Sequence, residues 1–215
     1  MNTTAYTHRR FFKLPLAALA LALSAGCAPL VIGGAALGSA LVVTDRRTSG
    51  TQLEDEGIEL RAASRLQQNL GERGHINVTS YNRVALLTGE VPSAQDKALA
   101  EQVVARVDNV RSIINELGVM GTSSLAARSS DALITGKVKA LMVDDKEIFA
   151  NAFKVVTERG VVYLMGRVTQ REAARATELA RTVSGVQRVV RAFELISEDE
   201  LRHLQPRPAQ TPKAQ

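Results

Sequence analysis

The hydrophobic and polar residues of this chain follow a pattern that occurs twice. Val84–Val91 and Val161–Val168 both read V-x-x-L-x-G-x-V, and their glycines lie 77 positions apart (166 − 89). Val107–Ile114 and Val183–Val190 share branched aliphatic residues at the same places, 76 positions apart (183 − 107). Because both patterns recur in the same order at nearly the same spacing, the chain is predicted to contain a duplicated module of about 70 residues.

The first module is predicted to run helix, strand, strand, helix, strand. Ile58, Ala62 and Leu66 lie four residues apart, which predicts a helix over 53–70 with these side chains in the core. The other predicted elements are a strand around Ile76 and Val78, a strand over 84–88, a helix that Ser93 caps with Asp96 at its third position and that buries Leu99, Ala100, Val103 and Val104, and a strand over 111–117.

The second module repeats this order. A serine, Ser129 or Ser130, is predicted to cap its first helix, which runs to about Val143. The predicted core stripe of that helix is Ile134, Val138 and Leu141. The other predicted elements are strands over 153–157 and 161–165, a helix that begins with the capping box Thr169-x-x-Glu172 and buries Ala176, Leu179, Ala180 and Val183, and a strand over 187–196.

These elements predict an α+β fold of two αββαβ modules. Each module is expected to be a three-stranded mixed sheet with two helices on one face, which leaves the other face to solvent or to a partner. Tryptophan is absent and aromatic residues make up 4% of the chain, so the core is predicted to be aliphatic. Modules of this size bury a modest share of their surface, and we therefore expect them to pack on each other or on a partner.

The N-terminus has the features of a bacterial export signal. A basic segment, His8-Arg9-Arg10, precedes the apolar run Leu14–Leu23, and small residues then lead to Cys27. This arrangement resembles a lipobox, in which the cysteine is acylated after cleavage before it, although leucine here stands four residues before the cysteine. Ala28 follows Cys27, and by resemblance to lipoprotein sorting rules this implies the outer membrane, with the protein facing the periplasm.

Two alternatives to lipidation remain at this point. An ordinary secretory signal with an incidental cysteine would have a similar composition. A membrane-spanning helix could start from the apolar run over 14–43, but prolines and glycines interrupt that run. Cys27 is the single cysteine, so no intramolecular disulfide and no thiolate metal cluster can form. Three acyl chains would anchor the protein stably without a spanning helix.

The lipobox and the two αββαβ modules, each with the V-x-x-L-x-G-x-V strand and a following valine-rich strand, resemble the BON domain family (bacterial OsmY and nodulation). The resemblance implies phospholipid binding and support of outer-membrane integrity. The predicted domains are a signal peptide over 1–26, the lipidated Cys27 and a glycine-rich tether over 27–52, BON domain 1 over 53–118, a linker over 119–128, BON domain 2 over 129–196 and a disordered C-terminal tail over 197–215, in which Ser197-x-x-Glu200 favours one further helical turn.

No catalytic constellation is apparent. His8 leaves with the signal, His75 and His203 are isolated, and no metalloprotease, nucleophile-elbow or phosphate-loop spacing occurs. The chain is therefore predicted to be neither an enzyme nor a holder of a metal or cofactor.

Charge differs between the two modules. Residues 50–118 carry seven Lys/Arg and ten Asp/Glu, a net charge of −3 (7 − 10), whereas residues 125–196 carry twelve and eight, a net charge of +4 (12 − 8). A basic module on a chain tethered to a bilayer is predicted to bind anionic headgroups such as phosphatidylglycerol, because each Lys or Arg near such a surface contributes about 1 kcal/mol.

The candidate phospholipid-binding residues lie on the first helix of the second module. They are Leu133, Gly136, Lys137 and Ala140, which form a stripe beside the core stripe. An apolar residue beside lysines suits insertion into a bilayer interface. The alternative is that Leu133 packs against the first module. Arg171 and Arg175 on the second helix are further candidates, either as part of this patch or as a solvated face.

Two classes of function follow. The first is a non-catalytic lipoprotein whose second module docks on anionic phospholipid. The second is an adaptor for envelope proteins, such as a β-barrel assembly factor or a cell-wall hydrolase regulator, which could bind by strand addition to exposed sheet edges. Nucleic acid is a poor partner, because the basic module lacks interleaved aromatic residues and the signal directs the chain out of the cytoplasm.

Overall fold

Hydroxyl caps determine where the first helix of each module begins. A computed structural model describes residues 45–204, in which α1 (Ser49–Leu70) starts after Thr48 and α3 (Leu125–Asp144) starts after Ser124. Each cap accepts a hydrogen bond from the backbone amide three residues later. Both helices therefore begin earlier than the predicted starts at Leu53 and Ser129 or Ser130, because no proline interrupts the intervening residues.

The remaining elements follow the predicted order. They are β1 (His75–Tyr81), β2 (Val84–Val91), α2 (Ala94–Ala105), β3 (Ser112–Asn115), β4 (Gly118–Val119), a 3-10 turn (Ala150–Ala152), β5 (Phe153–Glu158), β6 (Val161–Val168), α4 (Gln170–Thr182), β7 (Arg188–Leu195) and α5 (Glu198–Leu204). The caps predicted for α2 and α4 are confirmed, including the Thr169–Glu172 capping box. The signal peptide, Cys27, the tether up to residue 44 and residues 205–215 lie outside the described part of the chain.

Each module contains the predicted mixed sheet. β1 pairs antiparallel with β2, which pairs in parallel with β3, and β5, β6 and β7 repeat this order. The strand predicted over 111–117 is split into β3 and β4, because the Asn115 side chain accepts the Leu117 amide proton between them. The repeated glycines lie where strands approach closely: a Cβ on Gly89 would lie 1.9 Å from the His75 carbonyl oxygen, and one on Gly166 would lie 2.5 Å from that of Ala152.

The two helices of each module cover one face of its sheet and form an aliphatic core. In α3 the buried stripe is Ile134, Val138 and Met142, spaced by four residues as Ile58, Ala62 and Leu66 are in α1. The prediction of Leu141 as a core residue is wrong: it is 36% exposed, because a step of three from Val138 turns it away from the sheet.

The second faces of the two sheets pack against each other. Tyr81 and Leu86 from the first module form one buried cluster with Tyr163 and Met165 from the second. The face that was expected to meet solvent or a partner is thus covered by the other module.

The C-terminal end of the described chain is helical. The amide of Glu200 donates to the Ser197 hydroxyl, as the pattern at Ser197 predicts, and Leu201 is buried. The helical turn predicted at Ser197 extends as α5 to Leu204, and the tail predicted beyond Leu204 lies outside the described residues. Between residues 45 and 204, no helix is long and apolar enough to cross a membrane.

A buried aspartate in each module holds the hairpin turn between its first two strands. Asp131 accepts hydrogen bonds of 2.8 Å from the amides of Arg159 and Gly160, both of which have positive φ. Asp55 does the same for the amides of Asn82 and Arg83. A helix side chain thus satisfies turn amides that the hairpin itself leaves without acceptors.

We expect Asp131→Ala to lower the free energy of unfolding by about 2 kcal/mol, because it leaves one buried and one partly buried amide without acceptors. Urea denaturation with a fixed m-value would measure the loss. Asp144→Ala, at an exposed position of the same helix, is the matched control and should change stability by less than about 0.5 kcal/mol. Equal effects of the two substitutions would contradict the turn-holding role.

Candidate functional site

The outer face of α3 carries an exposed apolar stripe. Leu133, Gly136, Ala140 and Val143 are spaced by three and four residues, which places them on one side of the helix. Leu133 is 67% exposed and Val143 is 69% exposed, and a Cβ on Gly136 would meet no other atom within 4 Å. Leu133 therefore faces solvent and does not pack against the first module.

One lysine lies on each side of this stripe. Lys137 and Lys139 are both exposed, and among the described residues neither has an ion-pair partner within 4.0 Å. Their ammonium groups are thus available to an external anion, while their aliphatic stems widen the apolar surface. We call the six residues Leu133, Gly136, Lys137, Lys139, Ala140 and Val143 the α3 outer face.

The other two candidates, Arg171 and Arg175, lie against carboxylates. Arg175 is bonded to Asp145 at 2.7 and 2.9 Å, and the Asp145 hydrogen bond raises the pKa of Arg175. Arg171 donates to the Glu147 carbonyl oxygen at 2.9 Å and lies 3.6 Å from Glu198. Their charge is thus largely balanced locally, and the structure does not bring them onto the α3 outer face.

The corresponding face of α1 differs in charge. Leu53 and Leu60 are 69% and 73% exposed, and Gly57 occupies the place of Leu133. Arg61 lies over Gly57, where a Cβ would approach its guanidinium to 2.8 Å, and is paired with Glu54. Glu56 is exposed beside these leucines, so α1 presents an acidic residue next to its apolar ones.

Ion pairs at the interface between the modules neutralise part of their charge difference. Lys154 pairs with Glu59, Arg159 with Glu90 and Arg188 with Glu116, at 2.7, 3.0 and 3.2 Å. Each of these pairs joins a base of the second module to an acid of the first. Burial opposes ionisation of Glu90, but hydrogen bonds from Arg159 and Ser123 outweigh it and lower the Glu90 pKa. The positive charge that remains available to a ligand therefore lies on basic residues outside this interface, such as Lys137 and Lys139.

The pKa of one carboxylate at the interface, Glu158, is raised and not lowered. Glu158 is 6% exposed and accepts a 3.1 Å hydrogen bond from Asn77 of the first module. Burial, together with the neighbouring carboxylates Glu90 and Asp131, raises the Glu158 pKa above its ordinary value despite that bond. Ionised Glu158 thus opposes folding.

The first described residues form a third set of contacts between the modules. Arg46 forms a bidentate pair with Glu172 at 2.6 and 2.8 Å, and its guanidinium also donates to the Arg167 carbonyl oxygen at 2.8 Å. Burial opposes ionisation of Glu172, but the Arg46 and Thr169 bonds lower its pKa. The guanidinium of Arg47 bonds Asp55 and lies 4.3 Å from the centre of the Tyr81 ring.

A groove of about 550 Å³ lies beside these contacts. Its lining combines residues from the N-terminal segment, from the C-terminal half of α3 and from β5, among them Asp45, Arg47, Lys139, Val143 and Lys154. The groove therefore meets the α3 outer face at Lys139 and Val143.

Sequence reasoning missed three of these features. Arg46 lies in the predicted tether, and the sequence predicts a capping role for Glu172 but no contact between the two residues. Lys139 and Val143 belong to the exposed face of α3 although the predicted stripe ends at Ala140. The turn-holding aspartates have a detectable signal: the pattern D-x-x-I occurs at Asp55 and again at Asp131, 76 positions apart (131 − 55).

These features together define a protein of two αββαβ modules in tandem. The BON domain family model matches residues 54–121 and 130–197, and the chain belongs to the BON domain family, which confirms the resemblance.

Individual relatives agree with this assignment. The chain is 38% identical to "Outer membrane lipoprotein DolP" of Haemophilus influenzae over 85% of this chain and 97% of that protein. It is 34% identical to the "21 kDa hemolysin" of Actinobacillus pleuropneumoniae, over 71% and 79% of the two chains. It is 32% identical to the "Osmotically-inducible protein Y" of Escherichia coli, over 53% and 58%.

We expect Glu158→Gln to stabilise the protein at neutral pH, because glutamine keeps an acceptor for Asn77 and removes the disfavoured charge. A glutamate whose folded pKa is raised destabilises the folded state above that pKa, and the effect fades as pH falls to the ordinary value of 4.5. Urea unfolding at neutral pH and near pH 4 should show a gain that disappears in acid. Glu56→Gln, at an exposed position, should show no such pH-dependent gain; a gain for Glu158→Gln that persists in acid would contradict the electrostatic cause.

Proposed function

We propose that this protein is a non-catalytic outer-membrane lipoprotein whose second BON domain docks on anionic phospholipid and thereby supports membrane integrity. The acyl chains on Cys27 anchor it, and the α3 outer face makes the second contact. Support for the location comes from the lipobox and from the 38% identity to a protein named as an outer membrane lipoprotein.

The observation that carries the lipid-binding proposal is the α3 outer face itself. Leu133 and Val143 are large exposed apolar residues on one line, with Gly136 and Ala140 between them. Small residues at the middle of the stripe allow the helix backbone to lie close to the bilayer surface. Lys137 and Lys139, on opposite flanks, then reach phosphate oxygens on either side of the helix.

The expected binding energy of this face is modest. Two lysines contribute about 1 kcal/mol each near an anionic surface, and partial burial of a leucine adds about 1–2 kcal/mol. Such a contact is weak for a free protein. It suffices for a chain that acyl chains already hold at the bilayer, because tethering raises the effective concentration of the second contact.

We expect Leu133→Glu combined with Lys137→Glu to weaken binding to phosphatidylglycerol-containing vesicles at least about tenfold, because the double variant removes an inserting side chain and reverses a charge. Co-sedimentation of the mature Cys27→Ser chain across a salt series would measure this. Binding of the parent should fall as salt rises and should be absent on neutral vesicles.

The matched pair for this test is Leu133→Glu against Leu60→Glu, which places the same charge on a similarly exposed leucine of α1. Only the first should weaken binding. Retained binding in the double variant would contradict the assigned site. If the parent binds neither type of vesicle, the acyl chains alone hold the protein at the membrane, and an envelope protein becomes the expected partner.

A further inference from the structure

We propose that Arg46 is a positioning residue for membrane docking: it fastens the end of the membrane tether to the second BON domain, so that an anchor on Cys27 holds α3, and not α1, toward the bilayer. The inference rests on the proposed function. According to this inference, one buried ion pair determines which of two exposed apolar helix faces, that of α1 or that of α3, meets the bilayer.

Chain connectivity alone would favour the first domain. Asp45 precedes Ser49, the first residue of α1, by only four positions. A tether that ended freely at this point would therefore pull on the N-terminal end of α1. The α1 face is also apolar, since Leu53 and Leu60 are 69% and 73% exposed.

The Arg46 side chain redirects this connection to the second domain. Its guanidinium makes three hydrogen bonds there, two to Glu172 and one to the Arg167 carbonyl oxygen. The Arg167 guanidinium donates in return to the Arg46 carbonyl oxygen at 3.3 Å. Backbone and side chain of Arg46 are thus both held by the second domain.

The burial and geometry of this pair make it a fixed attachment. The side chains of Arg46 and Glu172 are 6% and 1% exposed, and the paired charges are shielded from salt and water. A bidentate guanidinium–carboxylate pair also fixes orientation, which a lysine could not do. Glu172 is itself held, because it completes the capping box of α4 with Thr169.

The attachment places the chain beside the proposed lipid-binding face. Asp45 and Arg47 line the same groove as Lys139 and Val143, which belong to the α3 outer face. From α1, Gln52 lines this groove, whereas Leu53 and Leu60 do not. The N-terminal segment therefore meets the folded domains next to the C-terminal end of the α3 outer face.

Proximity of this kind determines which weak contact a membrane anchor strengthens. A tether raises the effective concentration only of a surface that can reach the bilayer while the anchor stays inserted. The segment over 28–44 spans at most about 60 Å when fully extended. Fastening its end beside α3 gives the α3 outer face the shorter path to the bilayer, so that the exposed leucines of α1 do not compete with it.

Single tryptophans would test this directly, because the natural chain contains none. Leu133→Trp and Leu60→Trp place one reporter on each face in the full-length lipidated protein, reconstituted into phosphatidylethanolamine–phosphatidylglycerol vesicles. With Arg46 intact, the emission of the Leu133→Trp reporter should shift to the blue and that of the Leu60→Trp reporter should not.

Two substitutions release the attachment from opposite sides. Arg46→Gln removes the guanidinium, and Glu172→Gln removes the charge while glutamine can still complete the capping box. Each should reduce the blue shift of the Leu133→Trp reporter about twofold or more and raise that of the Leu60→Trp reporter. Arg111→Gln, which removes a different ion pair to the second domain, with Glu194, is the matched control and should change neither reporter.

The unlipidated mature Cys27→Ser chain separates positioning from a structural effect. Without an anchor, Arg46→Gln and Glu172→Gln should leave vesicle binding through α3 within about twofold of the parent. A comparable loss of binding with and without the anchor would overturn the inference, as would unchanged reporters in both lipidated variants. Absence of any Leu133→Trp shift in the lipidated parent would instead contradict the proposed lipid-binding function.

Discussion

Mutual burial of the two sheets is the constraint on which this structure depends. An αββαβ module has two helices, which can cover one face of its sheet, and the other face must find a partner or remain in water. Here Tyr81 and Leu86 meet Tyr163 and Met165 across that second face. The arrangement determines which surfaces remain outside, since both sheet faces are covered and the helices α1 and α3 present their outer sides to solvent.

The contact between the two domains also determines which charged side chains remain unpaired. The first domain is acidic and the second is basic, and three pairs between them use part of that difference. Bases that lie outside the interface, such as Lys137 and Lys139, keep their charge for an external anion. A net charge counted along the sequence therefore overstates what a membrane would encounter, and the position of each charge in the fold decides its use.

Local signals predicted the fold well, and contacts between distant residues limited the rest. The hydrophobic periodicity of each helix and strand and the Ser93 and Thr169 caps depend on residues within a few positions of each other, and the repeat shows the same local pattern twice. Met142, and not the predicted Leu141, lies in the core, because the orientation of a helix toward its sheet is a tertiary property. The contact of Arg46 is not predictable from the sequence, because its partner lies 126 positions away and nothing in the spacing of the chain links the two. Within the candidate site, the stripe at Leu133 was predictable from periodicity, whereas the local neutralisation of Arg175 by Asp145 was not.

Covalent fusion of the two modules has a consequence for association. A lone module with an uncovered sheet face would need a second molecule, and its pairing would then depend on how many copies the cell makes. Joining two copies in one chain makes the pairing independent of abundance. The sheets of this membrane-bound protein therefore stay paired at any expression level, and the outer helices α1 and α3 can differ without disturbing that contact.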